Sequence, residues 1–101
     1  SCYLEKAFAD AFKKINRRQV IICGIETHVC VYQTVADLAG HKFDVQVVAD
    51  AVSSRTKENR ELGLAHIRGI GAALTCTEMI ICELLRTSEH PKFKDVLSLI
   101  K

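Results

Sequence analysis

Cysteine is the residue type in this chain best suited to covalent chemistry, and Cys30 is the one placed where such chemistry would be assisted. It lies in the stretch Gly24-Ile-Glu-Thr-His-Val-Cys30-Val, between a short apolar run and a segment with helical spacing. A cysteine in the first turn of a helix sits among unpaired backbone N–H groups at the positive end of the helix dipole, and both favour thiolate over thiol. Such a thiolate is a competent nucleophile, and the same amides can stabilise the oxyanion formed when sulfur attacks a carbonyl. A buried cysteine on an apolar helix is nonetheless more often packing than catalysis, so residue types alone do not decide.

The neighbouring candidates carry less. His28 is two residues from Cys30, a spacing that does not face two side chains together on a helix, so a pocket-lining place suits it better than a Cys-His dyad. Ser53, Ser54 and Arg55 read first as a solvated or capping loop, with substrate contact as the alternative. Five cysteines (2, 23, 30, 76, 82) make an odd count without a CxxC pair, and the histidines at 28, 41, 66 and 90 show no ligand spacing. No disulfide framework, zinc site, other metal or cofactor is therefore expected. Cys23, Cys76 and Cys82 read as core residues and Cys2 as an N-terminal bystander. A redox-responsive protein is a further reading of five thiols, but the sequence offers no resolving pair.

The elements that must position Cys30 alternate. Leu4, Phe8, Ala11, Phe12 and Ile15 share one helical stripe that stops near Asn16. Gln19 to Gly24 is a continuous apolar run, the pattern of a parallel strand covered on both faces. Helical spacing returns from Thr27 to Ala39 with Gly40 as the stop, then a second buried strand follows from Asp44 to Ala49. A loop runs from Asp50 to Arg55. Thr56 caps a helix that ends in Arg68-Gly-Ile-Gly71. Ala72 to Thr75 is a third strand, Thr77 reads as the N-cap of the next helix, and Pro91 fits the first position of a last one. Five helices and three strands in strict alternation imply a parallel sheet joined by right-handed crossovers, an α/β Rossmann-like architecture with helices on both faces. Three such strands are few, and the first arrives with no earlier strand beside it, so a missing neighbour is expected on its open side. A start at Ser1 rather than Met fits a processed or partial chain.

Composition narrows the class. With 101 residues, 49% of them hydrophobic, the chain is one small domain at most but has enough apolar material for a core. Its formal charge of +2 is spread without a block of like charges, so neither nucleic acid nor an anionic membrane is an expected partner. The apolar runs are far shorter than the roughly 20 residues that span a bilayer. A cytoplasmic protein is the default, with a mitochondrial one as the alternative.

Gly24-Ile-Glu-Thr-His-Val-Cys-Val31 resembles the G-x-x-T-x-x-C-V motif of the isochorismatase-like cysteine hydrolases, which include nicotinamidases and N-carbamoylsarcosine amidohydrolase. Val47-Val-Ala-Asp-Ala-Val-Ser-Ser-Arg55 and Gly71-Ala-Ala-Leu-Thr-Cys-Thr-Glu78 resemble the superfamily's next two strand-loop blocks, so the likeness covers essentially the whole chain. The wording from Cys23 to Thr34 is most similar to the YcaC-like and ISOC-domain members. The resemblance implies a three-layer domain whose sheet normally has six strands, with residues 1–101 as its C-terminal half. It implies that Cys30 is the nucleophile on a C–N amide-type bond of a small molecule. A non-proline cis peptide would join Ile25 to Glu26, the amides of Glu26 and Cys30 would form the oxyanion hole, and Thr27 would cap the turn, lining the substrate site with His28. The superfamily's triad also needs an Asp and a Lys from the N-terminal half. Neither is identifiable here: Asp50 belongs to a later strand end and Lys6 to an exposed helix face. The expected partners are a small-molecule substrate and either further copies of the chain or the missing half. The competing reading is a catalytically silent module that self-associates through apolar helix faces and the open sheet edge.

Overall fold

All three strands expected from apolar runs form, and they pair in parallel. In the computed structural model, which describes residues 1–100, a 3-10 turn (Cys2–Leu4) leads into α1 (Lys6–Ile15), β1 (Gln19–Ile25) and a π-helical turn (Thr27–Val31). The chain continues through α2 (Tyr32–Gly40), β2 (Asp44–Ser53), α3 (Lys57–Gly69), β3 (Ala73–Thr75), α4 (Thr77–Leu85) and α5 (Phe93–Ile100). The sheet order is β1-β2-β3, so each strand is laid beside the previous one by a helical connection.

Strand alternation assigns the two faces. Val20 and Ile22 of β1 stand in register with Val45 and Val47 of β2, and Leu74 of β3 faces Val47. This face packs against Val31, Val35 and Leu38 on one side of the chain reversal and Ile67 of α3 on the other. Val35, Val47 and Ile67 are completely buried. At roughly 1.5–3 kcal/mol for each fully buried aliphatic side chain, this layer is the main source of stability. Ile21 and Gln46 look to the opposite face, where Ile80 and Leu84 of α4 border the same groove. Helices therefore flank both sides of the sheet, giving the α/β Rossmann-like arrangement.

The caps explain several boundaries. Asn16 ends α1 in the left-handed region at φ 54°, which asparagine tolerates better than most residues. Thr56 caps α3 as expected, its Oγ1 accepting from the Asn59 N–H at 3.1 Å. Two expected caps are corrected. Glu26, not Thr27, is the N-cap of the turn that precedes α2. Cys76, not Thr77, occupies that position in α4, because Asp50 reaches across from β2 to bond the Thr77 N–H.

Five further expectations change. β2 runs to Ser53 rather than stopping at Ala49, since pairing resumes at Gly24↔Val52 and Ile25↔Ser53 after an irregularity in β1. Arg60 of α3 stabilises that extension by donating to the carbonyls of Ala49 and, at 3.3 Å, Val52. β1 is covered on one face only: Ile21, Cys23 and Ile25 are exposed because α4 packs on β2. Cys23 and Cys82 are exposed and Cys76 half-buried, so none of the three is a core residue. On α1 only Phe12 and Ala9 are partly covered, Phe12 through an edge-on contact with Phe43 at 5.0 Å, while Ile15, and Leu4 in the turn before the helix, remain open. Pro91 lies two residues before α5 rather than at its start.

Candidate active site

The end of β1 departs from regular strand geometry in a way that serves the turn after it. Gly24 adopts φ +125°, a conformation L side chains rarely take, and the Ile25–Glu26 peptide bond is cis. The chain then enters the π-helical turn, in which the N–H groups of Val29 and Val31 both donate to the Glu26 carbonyl at 3.1 Å. Single π turns are rare and frequent at functional sites. Cys30 lies within this turn and is exposed.

Glu26 does not use its side chain to cap the turn. Its Oε1 instead accepts from the Arg55 backbone N–H at 2.9 Å and from Arg55 Nε at 3.1 Å. The bond from the Arg55 amide, followed by the guanidinium charge, holds this carboxyl below its ordinary value of 4.5. A carboxylate is thus present at the start of the turn but engaged with the loop at the end of β2. Among the described residues no side chain caps the turn, whose Val29 and Val31 amides bond to the Glu26 carbonyl instead.

His28 is tied to the same loop, its Nδ1 lying 3.0 Å from Ser54 Oγ. With Tyr32, Leu62, Gly63 and His66 it borders a cleft of about 240 Å³ between the turn and α3. Cys30 opens on a different cleft, of about 120 Å³, against β1. The two side chains are therefore not brought together as a dyad. A third depression of about 380 Å³ lies beyond the carboxyl ends of β1 and β2, bordered by Ile25, Glu26, Ser53, Ser54 and Arg55. That is where ligands of open α/β sheets bind. Thr27 is completely buried and its Oγ1 has no hydrogen-bond partner among the described residues. Asp50 and Lys6 are engaged elsewhere: Asp50 holds Thr77, and Lys6 pairs with Asp10 at 2.9 Å on an exposed helix face.

Two positioning features escape a sequence reading. Gly63 brings α3 so close to the turn that a Cβ there would stand 2.9 Å from the Cα and N of His28. Arg60, on the next turn of the same helix, clamps the end of β2. An isolated glycine within a helical pattern was the one available signal, since such a glycine usually marks a close approach. Among the described residues, no group of three His, Cys, Asp or Glu side chains is placed to hold a metal ion, and no helix is long and apolar enough to cross a membrane.

The fold and this turn define a class: a parallel α/β domain with an exposed cysteine in the helical turn beyond a strand end. The isochorismatase domain model matches residues 1–79, and the chain belongs to the isochorismatase family. It is 49% identical over 86 residues to the secreted isochorismatase effector Isc1 of Phytophthora sojae, covering 85% of this chain and 41% of that protein. Among solved structures it is similar to the MAR1 ribonuclease of Caenorhabditis elegans, with a TM-score of 0.84 and 43% identity over 96% of this chain and 50% of that one. It is also similar to YcaC from Pseudomonas aeruginosa with hexane-2,5-diol and covalent acrylamide, with a TM-score of 0.85 and 26% identity over 99% of this chain and 56% of that one. The chain spans about half the length of these relatives, or less.

Proposed function

We propose that this chain is the nucleophile-bearing half of a hydrolase domain that cleaves a C–N amide-type bond of a small molecule. The observation that carries the reading is the exposed Cys30 thiol in a helical turn at the carboxyl end of β1, with no side chain capping that turn. Cys30 Sγ adds to the substrate carbonyl, forming a C–S bond as the carbonyl electrons move to oxygen. The amides of Glu26 and Cys30 receive that oxyanion. Collapse expels the amine, which takes up a proton, and water then cleaves the thioester to release the acid and restore the thiol. The Asp and Lys that would move these protons come from outside residues 1–101. Thr27 supports the turn from behind, completely buried, and His28 borders the separate cleft against α3, so neither is given a proton-transfer role at Cys30. The acrylamide bound covalently in the P. aeruginosa YcaC supports the reading, because acrylamide is an electrophile to which thiolates add.

The test uses the full-length protein. Iodoacetamide at neutral pH is expected to modify Cys30 faster than Cys23 or Cys76, and Cys30→Ala to abolish hydrolysis of amides such as nicotinamide. Equal alkylation of the three cysteines would defeat the reading.

A second reading, a catalytically silent self-associating module, is favoured by apolar side chains left open on α1, α4 and α5: Ile15 is 64% exposed, Leu84 72% and Leu99 79%. Light scattering that finds a stable oligomer, with no amide turnover in the full-length protein, would support it over the first. Either form is expected in a reducing compartment, the cytoplasm first and the mitochondrion second. Fractionation of the expressing cells checks this.

A further inference from the structure

Three of the five thiols border one cleft. Cys2, Cys23 and Cys30 all open on the depression of about 120 Å³ beside β1, although they come from the 3-10 turn, the strand and the π-helical turn. All three are exposed. Cys2 is held in place rather than left loose: its N–H donates to Thr34 Oγ1 at 3.1 Å, and Ser1 Oγ caps the turn that contains it. Tyr3, the next residue, packs its ring against His41 at 4.7 Å and against Phe12 at 6.3 Å. Thr34 lies four residues beyond Cys30, and residues so spaced are neighbours on a helix surface. The anchor of Cys2 is therefore about one helical turn from the reactive sulfur. Cys76 is the N-cap of α4 and Cys82 lies within that helix, and neither borders this cleft.

We propose that this cleft is an oxidative modification site for hydroperoxides, in which Cys30 is oxidised and Cys2 is the resolving thiol. The proposal rests on the reading of Cys30 as an activated thiol and adds a second chemistry to it. The Cys30 thiolate attacks one oxygen of the peroxide, the O–O bond breaks, and Cys30 becomes a sulfenic acid while the other oxygen leaves as hydroxide or alkoxide. The Cys2 sulfur then displaces hydroxide from the sulfenic sulfur, and a disulfide and water form. Two thiols lose two electrons in total and the peroxide gains them. The disulfide takes the nucleophile out of service, and reduction by a thiol restores it. Capture by Cys2 also protects Cys30 from the irreversible sulfinic acid. Cys23 borders the cleft from β1, whereas Cys2 is anchored to Thr34, about one helical turn beyond Cys30, which makes Cys2 the chosen partner.

The experiment treats the full-length reduced protein with one equivalent of hydrogen peroxide and maps its peptides by mass spectrometry. A Cys2–Cys30 peptide pair, 2 Da lighter than its reduced components and separated by dithiothreitol, is the expected product. It should persist in Cys23→Ser. In Cys2→Ser, dimedone is expected to trap a sulfenic acid at Cys30, and excess peroxide to add 32 Da there. The iodoacetamide rate at Cys30 is measured on the same samples before oxidation. Rapid alkylation with no Cys2–Cys30 bond overturns this proposal and leaves the nucleophile reading standing. Alkylation of Cys30 no faster than that of Cys76 overturns both. A pairing of Cys30 with Cys23 that survives in Cys2→Ser overturns the choice of Cys2.

Discussion

Two strand-to-helix junctions in this molecule are built from similar residues and do different things. At the end of β1 the chain reads Ile25-Glu-Thr-His-Val-Cys30, and at the end of β3 it reads Leu74-Thr-Cys76-Thr-Glu. Each places a buried threonine, its hydroxyl unpartnered among the described residues, near a cysteine at a helix start. At α4 the opening is already filled: Asp50 accepts from both the N–H and the Oγ1 of Thr77 at 2.9 Å. At the Cys30 turn the nearby carboxylate belongs to Glu26, and Arg55 holds it away. A helix start attracts anions through its free amides and its dipole, and an internal carboxylate uses up that attraction. The difference suggests that a reactive cysteine needs a helix start that the protein itself leaves open, which the cysteine alone does not provide.

The largest expected effect falls on the chemistry. In the full-length protein Cys30→Ala should lower amide turnover by at least about a thousandfold, as loss of a nucleophile does, while Cys76→Ala should leave it within about twofold; steady-state kinetics measure both. If the two variants fall equally, the contrast between the junctions is broken.

Packing behind the Cys30 turn comes next. Gly63→Ala places a methyl 2.9 Å from the backbone of His28, and overpacking of this kind typically costs about 1–3 kcal/mol. Urea denaturation should show that loss, and the displaced turn should also slow Cys30 alkylation. A stable Gly63→Ala variant with normal alkylation would show that α3 does not position the turn.

Acid separates the two carboxylates from their neighbours. Glu26 is held below its ordinary value first by the Arg55 amide bond, and Asp50 first by the Thr77 amide bond. A depressed carboxyl contributes stability that is fully present above its unfolded value and is lost as pH falls through the folded one. Asp50→Asn is therefore expected to lower the urea midpoint at neutral pH, with its curve converging on that of the parent protein in acid. Glu26→Gln should behave likewise and should also alter Cys30 alkylation, whereas Asp50→Asn should not. Equal changes in alkylation would erase the distinction between a filled and an open helix start.

The smallest effects concern the two buried hydroxyls. Thr27→Val and Thr75→Val each remove an oxygen with no partner among the described residues, and replacement by an apolar group of the same shape is nearly neutral or stabilising. Thermal midpoints should move little or rise. A marked fall for Thr27→Val alone would show that its hydroxyl is engaged in the full-length protein.

Much of this was legible in the residues. Gln19 to Gly24 and the run from Asp44 announced strands because continuous β-branched stretches have few other uses. Thr56 announced a helix because its Oγ1 needs only the amide three residues on. Cys30 stood out because it follows an apolar strand run and opens a segment of helical spacing, and a helix start is where free amides favour a thiolate. The errors share one cause. Thr77 looked like a cap because the carboxylate that serves that amide lies 27 residues back along the chain. The apolar runs around Cys23 and Cys82 looked buried because local pattern reports what a segment can cover, not whether a neighbour arrives to cover it.

The sequence by itself determined the alternation of strands and helices, the parallel sheet that follows from it, and the cysteine at the first strand-to-helix turn, since each rests on residues within a few positions of one another. Only the tertiary structure decided which helix starts are filled, that His28 and Cys30 face different clefts, that Gly63 is a contact point, and that Cys2 reaches the cleft of Cys30. Those outcomes join residues about 25 to 35 positions apart in the chain. Contacts over such separations are set by how the sheet and helices pack, which no local pattern of residue types encodes.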